Sequence, residues 1–113
     1  CVDDDGSVYV LNEKKPASLI LLTGDLAIEQ MWFLDFAGDV SGMAWDRRRQ
    51  AFWIVSDQDR SVYLWSPAAG LLGWSALDGK KAEGVAYDPD TDHLYVVRET
   101  KPRLYIYELS QAD

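Results

Sequence analysis

Cysteine and histidine are almost missing from this chain, which has one of each, Cys1 and His93. A single cysteine excludes an intrachain disulfide and a thiol-rich metal site. A single histidine excludes a multi-histidine metal centre. It also counts against a Ser-His-Asp relay, because no serine stands in a nucleophile-elbow context and His93 falls in a hairpin turn. Basic residues are outnumbered, 11 Lys and Arg against 19 Asp and Glu, for a net charge of −8. No basic stripe is available for nucleic acid or for an anionic membrane surface. The acidic balance suits cations, basic partners or simple solubility. No apolar run approaches the roughly 20 residues of a membrane span, and Leu19 to Leu22 amounts to one strand. There is no signal peptide and no initiator Met, and the chain opens in the middle of a pattern, which predicts a processed or partial chain.

What the chain does have is apolar and aromatic weight. Hydrophobic residues make up 48 %, with five Trp, six Tyr and three Phe in 113 residues, enough for a packed core and too much for disorder. They recur in a pattern. Glu83-Gly84-Val85-Ala86-Tyr87-Asp88 leads through a polar turn into His93-Leu94-Tyr95-Val96-Val97-Arg98-Glu99. Earlier, Ser41-Gly42-Met43-Ala44-Trp45-Asp46 leads through 47–50 into Phe52-Trp53-Ile54-Val55-Ser56-Asp57. A shift of 42 residues lays 29–66 on 71–108 without a gap and brings Gly42/Gly84, Asp46/Asp88, Val55/Val97 and Tyr63/Tyr105 into coincidence. A partial third copy, Val8 to Pro16, matches Leu94 to Pro102.

Within each copy, β-branched and aromatic residues alternate with others in short runs bounded by Gly, Asp and Pro. The reading is strands at 8–12 and 18–22, an outer strand at 29–36, then strands near 40–46, 51–56, 61–66, 71–77, 82–88, 94–98 and 103–109. Residues 26–34 have helical propensity, but the aligned segment 71–76 is too short for a helix, so the repeat predicts a strand there. Four short strands per ~40-residue repeat is the arithmetic of a β-propeller blade. The expected fold is therefore all-β, with about two and a half four-stranded antiparallel blades in this chain and five or six when complete. The blade boundaries are read at 1–37 (partial), 38–79 and 80–113 (partial). The first sheet lacks its inner strand and the last its outer one. Further blades would come from a longer chain or from self-association, and two copies would supply six.

The candidate site follows from blade geometry. The start of the first strand and the end of the second lie at one end of a sheet, which gathers Glu83, Glu99, Glu13 and Asp57, with Ser41 in place of Glu83 in the middle copy. Carboxylates converging with turn carbonyls suit a hard cation such as Ca²⁺. Alternatively these acids are solvated, or partner Lys14, Lys15, Arg98 and Lys101. Gly42 and Gly84 are expected to let inner strands approach closely. Asp46 and Asp88 are expected to cap hairpins, and the Asp3–Asp5 run reads as a turn rather than a metal loop. No residue is nominated as catalytic or as binding an organic cofactor. Most Trp and Tyr are expected to pack between blades.

The motif Glu83-Gly84-Val85-Ala86-Tyr87-Asp88-Pro89, with Leu94 to Glu99 ending in Lys101-Pro102 and echoed by Glu13-Lys14-Lys15-Pro16, resembles the SdiA-regulated bacterial propeller proteins, relatives of NHL-repeat and phytase-like propellers. The middle copy departs from it with Asp57-Gln58-Asp59-Arg60. The resemblance implies a periplasmic or envelope location and a calcium site, with Glu83 and Glu99 as its best ligands. The function expected is a calcium-binding scaffold for a protein or small-molecule ligand. The alternative is a metal-dependent hydrolase of phytase, esterase or lactonase type, in which calcium polarises the substrate.

Overall fold

Valine, isoleucine, tyrosine and tryptophan at every second position favour an extended backbone, because a branched or aromatic side chain packs well on a pleated surface. The computed structural model describes residues 1–13, 16–77, 82–98 and 103–109, and over them this preference is realised as ten strands. They are β1 (Val8–Asn12), β2 (Ser18–Leu22), β3 (Ile28–Phe33), β4 (Gly42–Asp46), β5 (Ala51–Ser56), β6 (Ser61–Ser66), β7 (Gly70–Ala76), β8 (Ala82–Asp88), β9 (His93–Arg98) and β10 (Arg103–Glu108). Residues 28–33 are strand, not helix; Leu34 still bonds the Ala17 carbonyl, and β3 stops short of the expected 36 because the chain turns at 35–36, with the Ala37 N–H donating to the Leu34 carbonyl. Among the described residues no helix is long and apolar enough to cross a membrane.

The strands form three antiparallel meanders, β1-β2-β3, β4-β5-β6-β7 and β8-β9-β10. The outer sheets have three strands each, as the truncated repeats predict. A single bridge from Val2 to Val8 marks where an inner strand meets β1. The fold is all-β, with the architecture of a partial β-propeller.

Period-two alternation gives each sheet two faces. Tyr9 and Leu19 of the first sheet pack on Phe52, Ile54, Tyr63 and Trp65 of the second. The Tyr9 and Phe52 rings meet edge to face at 4.8 Å and Trp32 meets Trp65 at 5.9 Å. On its other face the second sheet offers Val55 and Val62 to Leu94 and Val96 of the third. Phe52, Ile54 and Val55 are fully buried, each worth about 1.5–3 kcal/mol relative to exposure.

The meanders place alternate turns at opposite ends of the stack. One end, the turn end, carries 3–6, 47–50 and 89–92. The other, the loop end, carries the β1–β2 and β5–β6 turns, the crossing from β3 to β4, and the start of β8. At the turn end, Gly6, Gln50 and Asp92 close the three hairpins with φ of 81°, 54° and 57°. Only glycine reaches that left-handed region without cost. Gln50 and Asp92 hold it with side-chain hydrogen bonds across the stack.

Candidate functional site at the loop end

The acids of the two ends are treated differently. At the turn end two of them, Asp46 and Asp92, are paired with arginine. Asp46, the last residue of β4, is fully buried. Its Oδ1 accepts the Arg49 backbone N–H at 2.9 Å, and its Oδ2 accepts Arg49 Nη1 and Trp53 Nε1, each at 2.8 Å. Arg49 then crosses to the next hairpin, donating to Asp92 from Nη1 at 2.8 Å and Nη2 at 3.1 Å. The Tyr87 hydroxyl donates to the same carboxylate at 2.7 Å, and Arg48 stands 3.8 Å away. Arg49 holds the Asp92 carboxyl down to about 2, while burial, with Asp92 second, lifts the Tyr87 hydroxyl to about 12. The first and second sheets are joined there by Asp4, which accepts Trp45 Nε1 at 3.0 Å and Gln50 Nε2 at 2.7 Å. These bonds, Gln50 first, lower the Asp4 carboxyl.

At the loop end two carboxylates meet neutral donors. Asp39, in the crossing before β4, accepts the Ser56 hydroxyl at 2.7 Å and the Gln58 N–H at 3.1 Å. Asp59 accepts the Gly38 N–H and the Tyr63 hydroxyl, both at 3.1 Å. Among the described residues the hydrogen-bond partners of these two carboxylates are neutral hydroxyl and amide groups. The crossing Leu34–Gly38 is flanked by two hollows. One, of about 420 Å³, is lined by Ala17, Phe33, Leu34 and Asp35; the other, of about 410 Å³, by Phe36, Asp59, Ser61, Tyr63 and Trp74. Both volumes are in the range of small-ligand sites. Phe36 and Tyr63 lie 4.7 Å apart in the second, whose apolar walls frame the Asp59 carboxylate.

Three of the four proposed ligand residues are brought to this end. Glu13 follows β1, is exposed, and accepts the Val40 N–H on its carbonyl at 3.1 Å. Asp57 follows β5 and is half-buried. Glu83 is the extra residue of a bulge, since Ala82 pairs with Arg98 and Gly84 already with Val97. A bulge re-aims the side chain it carries, and Glu83 is exposed. Glu99 lies outside the described residues, as do Lys14, Lys15, Lys101 and Pro102. Among the described residues no three Asp, Glu, His or Cys side chains converge in a group that could hold a metal. Ser41, the counterpart of Glu83, is a clamp instead: its hydroxyl donates to the Ala82 carbonyl and lies 3.3 Å from the Val55 carbonyl, tying the second sheet to the third.

Asp46 and Asp88 act as hairpin caps, Asp88 by accepting the Asp90 N–H at 2.9 Å and the Thr91 hydroxyl at 3.0 Å. Asp3 caps its own turn through the Asp5 and Ser7 N–H groups, both at 3.0 Å. The ion-pair network behind these caps was missed. The available signal was Arg47-Arg48-Arg49 in one hairpin set against Asp88, Asp90 and Asp92 one repeat on. The anchored pair Asp39 and Asp59 was missed too, since neither falls on a position shared by the copies.

No family model matches the chain, and no curated protein matches it. Among solved structures it is similar to one described as the crystal structure of the Myceliophteria_thermophila Cps50 (Swd1) beta-propeller domain, at 13 % identity and a TM-score of 0.51, over 92 % of this chain and 36 % of that one. The chain thus spans about a third of that structure's length, and the likeness shows the β-propeller fold without extending to the SdiA-regulated or NHL-repeat families.

Proposed function

We propose that this chain is a non-catalytic β-propeller binding module whose working surface is the loop end and whose ligand there is a cation, with calcium the first candidate. The observation that carries the reading is the neutral anchoring of Asp39 and Asp59. They stand at the end to which β1, β5 and β8 also deliver Glu13, Asp57 and Glu83. Fixed carboxylates bind a cation without first spending ordering entropy on it. Calcium needs six to eight oxygens at roughly 2.3–2.6 Å, so the described side chains would have to be joined by loop carbonyls or by Glu99. A periplasmic or envelope location belongs to the same proposal and rests on the resemblance of the Glu83–Pro89 motif. The hydrolase alternative would use the same calcium with a channel carboxylate as base, and no observation favours it over binding alone.

The test is thermal unfolding with excess Ca²⁺ and with chelator, on this chain and on Glu83→Gln. A ligand bound only to the folded state adds about 2.7 kcal/mol at a hundred times its dissociation constant. A raised midpoint that Glu83→Gln loses supports the site. No rise in either protein sinks calcium as the ligand.

A further inference from the structure

The hollow lined by Phe36, Asp59, Ser61, Tyr63, Leu71 and Trp74 is bounded by the second sheet and by the crossing that joins the first sheet to it. Its walls are aromatic. Tyr63 on β6 and Trp74 on β7 are cross-strand partners, so both rings lie on the face that the second sheet turns to the first. Phe36 closes on them from the crossing, its ring 4.7 Å from that of Tyr63 and tilted by 56°. Tyr63 is 7 % exposed and Trp74 66 %, which gives the hollow a packed floor and an open rim.

The carboxylate in this hollow is fixed from four directions. The Asp59 N–H donates to the Ser56 hydroxyl at 3.2 Å, and its carbonyl accepts the Ser61 hydroxyl at 2.9 Å. Oδ2 accepts both the Gly38 N–H and the Tyr63 hydroxyl at 3.1 Å, while Oδ1 accepts neither. One oxygen is therefore used twice and the other is left to a ligand. A hard metal ion wants six to eight oxygens, and aromatic walls supply none. An organic cation gains from both parts of the hollow. Ring faces attract it within about 6 Å, tryptophan best of all, and a carboxylate oxygen accepts its N–H in a bond roughly twice as strong as a neutral one. Arginine pairs best through two oxygens at once. A single open oxygen suits the compact ammonium of lysine, whose aliphatic stem lies along apolar surface.

We propose that this hollow takes a lysine side chain presented by a basic polypeptide, the ammonium N–H donating to Asp59 Oδ1 and the stem lying against Trp74 and Phe36. The occupant is a polypeptide because the complementary charge extends beyond the hollow. Asp35, beside Phe36, is exposed, and the chain as a whole carries a net charge of −8, which draws a basic partner to it. Lysine binding here builds on the loop end as the working surface and is independent of calcium.

Isothermal titration calorimetry with chelator present throughout is the test. The probes are a peptide of alternating lysine and glycine, the same peptide with arginine or with norleucine in place of lysine, and n-butylammonium. The lysine peptide is expected to bind, and to bind more tightly than the other three. Trp74→Leu keeps apolar area but removes the ring, and should weaken binding about three- to thirtyfold; Trp74→Phe keeps a ring and should lose less. Asp59→Asn removes the charge and should weaken binding about tenfold or more. Asp90→Asn removes the same charge from an exposed position at the turn end, where salt screens it from the hollow, and should leave binding unchanged. Circular dichroism confirms folding, and the exposed Trp74 gives variants that disturb the core least. A lysine peptide that does not bind overturns the proposal. So does equal binding of the arginine or norleucine peptide, or indifference to Asp59→Asn and Trp74→Leu. Binding of n-butylammonium as tight as that of the peptide overturns a polypeptide as the source of the cation. Each of these outcomes leaves the calcium-dependent unfolding midpoint as it was, because that is read without peptide.

Discussion

Both ends of the stack hold acids, but only one of them buries a pair around a shared cation. At the turn end, Asp46 and Asp92 are buried and share one guanidinium. At the loop end, Asp39 and Asp59 are held by hydroxyl and amide groups, and Glu13 and Glu83 are exposed. Burying a carboxylate is tolerable only with an opposite charge and a full set of donors, so the turn end has become a joint between sheets. An exposed carboxylate with neutral partners costs little and keeps its field. Asp46 and Asp92 thus form a fastener around Arg49, whereas the described partners of Asp39 and Asp59 are neutral.

Removing the fastener breaks this comparison most forcefully. Arg49→Ala leaves Asp46 and Asp92 buried without their shared cation and is expected to cost about 3–5 kcal/mol, read as a fall in the unfolding midpoint. Arg49→Met with Asp92→Asn recovers part of the loss, because one uncompensated charge is gone. Acid titration gives the next largest effect. The Asp92 carboxyl is lowered in the folded chain from 3.8 to about 2, chiefly by its bonds to Arg49, so its contribution is complete above pH 4 or so. It is lost as pH falls through that value toward 2. At about 1.36 kcal/mol per unit, the loss is on the order of 2 kcal/mol. Unfolding free energy measured from pH 5 to pH 2 checks it, and Asp92→Asn should flatten that part of the curve.

How far the sequence disclosed all this depended on what repeats. The strands were legible because alternation and turn chemistry recur at a fixed spacing; even 28–33, helical by propensity, was read correctly through its alignment with 71–76. Features present in one copy only were illegible. Arg49 aligns with Thr91, so the repeat offers no hint that it reaches Asp92. Ser41 stands where the other copy has Glu83, which reads as a missing ligand, yet its hydroxyl ties two sheets together. Glu83, Glu13 and Asp57 lie at one end because strand direction alone decides that. Whether side chains converge depends on twist and bulges such as the one at Glu83, which no spacing encodes.

The smallest effect sharpens the comparison along the axis, between a position that has a neighbouring sheet and its copy that has none among the described residues. Neither Gly42 nor Gly84 has a left-handed backbone, so alanine strains neither and should stabilise both slightly by restricting the unfolded chain, about 0.4–1 kcal/mol. At Gly42 the new methyl meets backbone atoms of Glu83 and Gly84 at 3.3 Å, atoms of a paired strand that cannot swing aside. Overpacking of that sort costs about 1–3 kcal/mol, so Gly42→Ala is expected to be net destabilising by about 1 kcal/mol. Gly84→Ala, in dilute protein, should be neutral or stabilising. Opposite signs in chemical denaturation would show that sheet-to-sheet crowding, and not the strand itself, demands glycine at this point of the repeat. Equal losses would mean that the inner strand needs glycine for its own conformation.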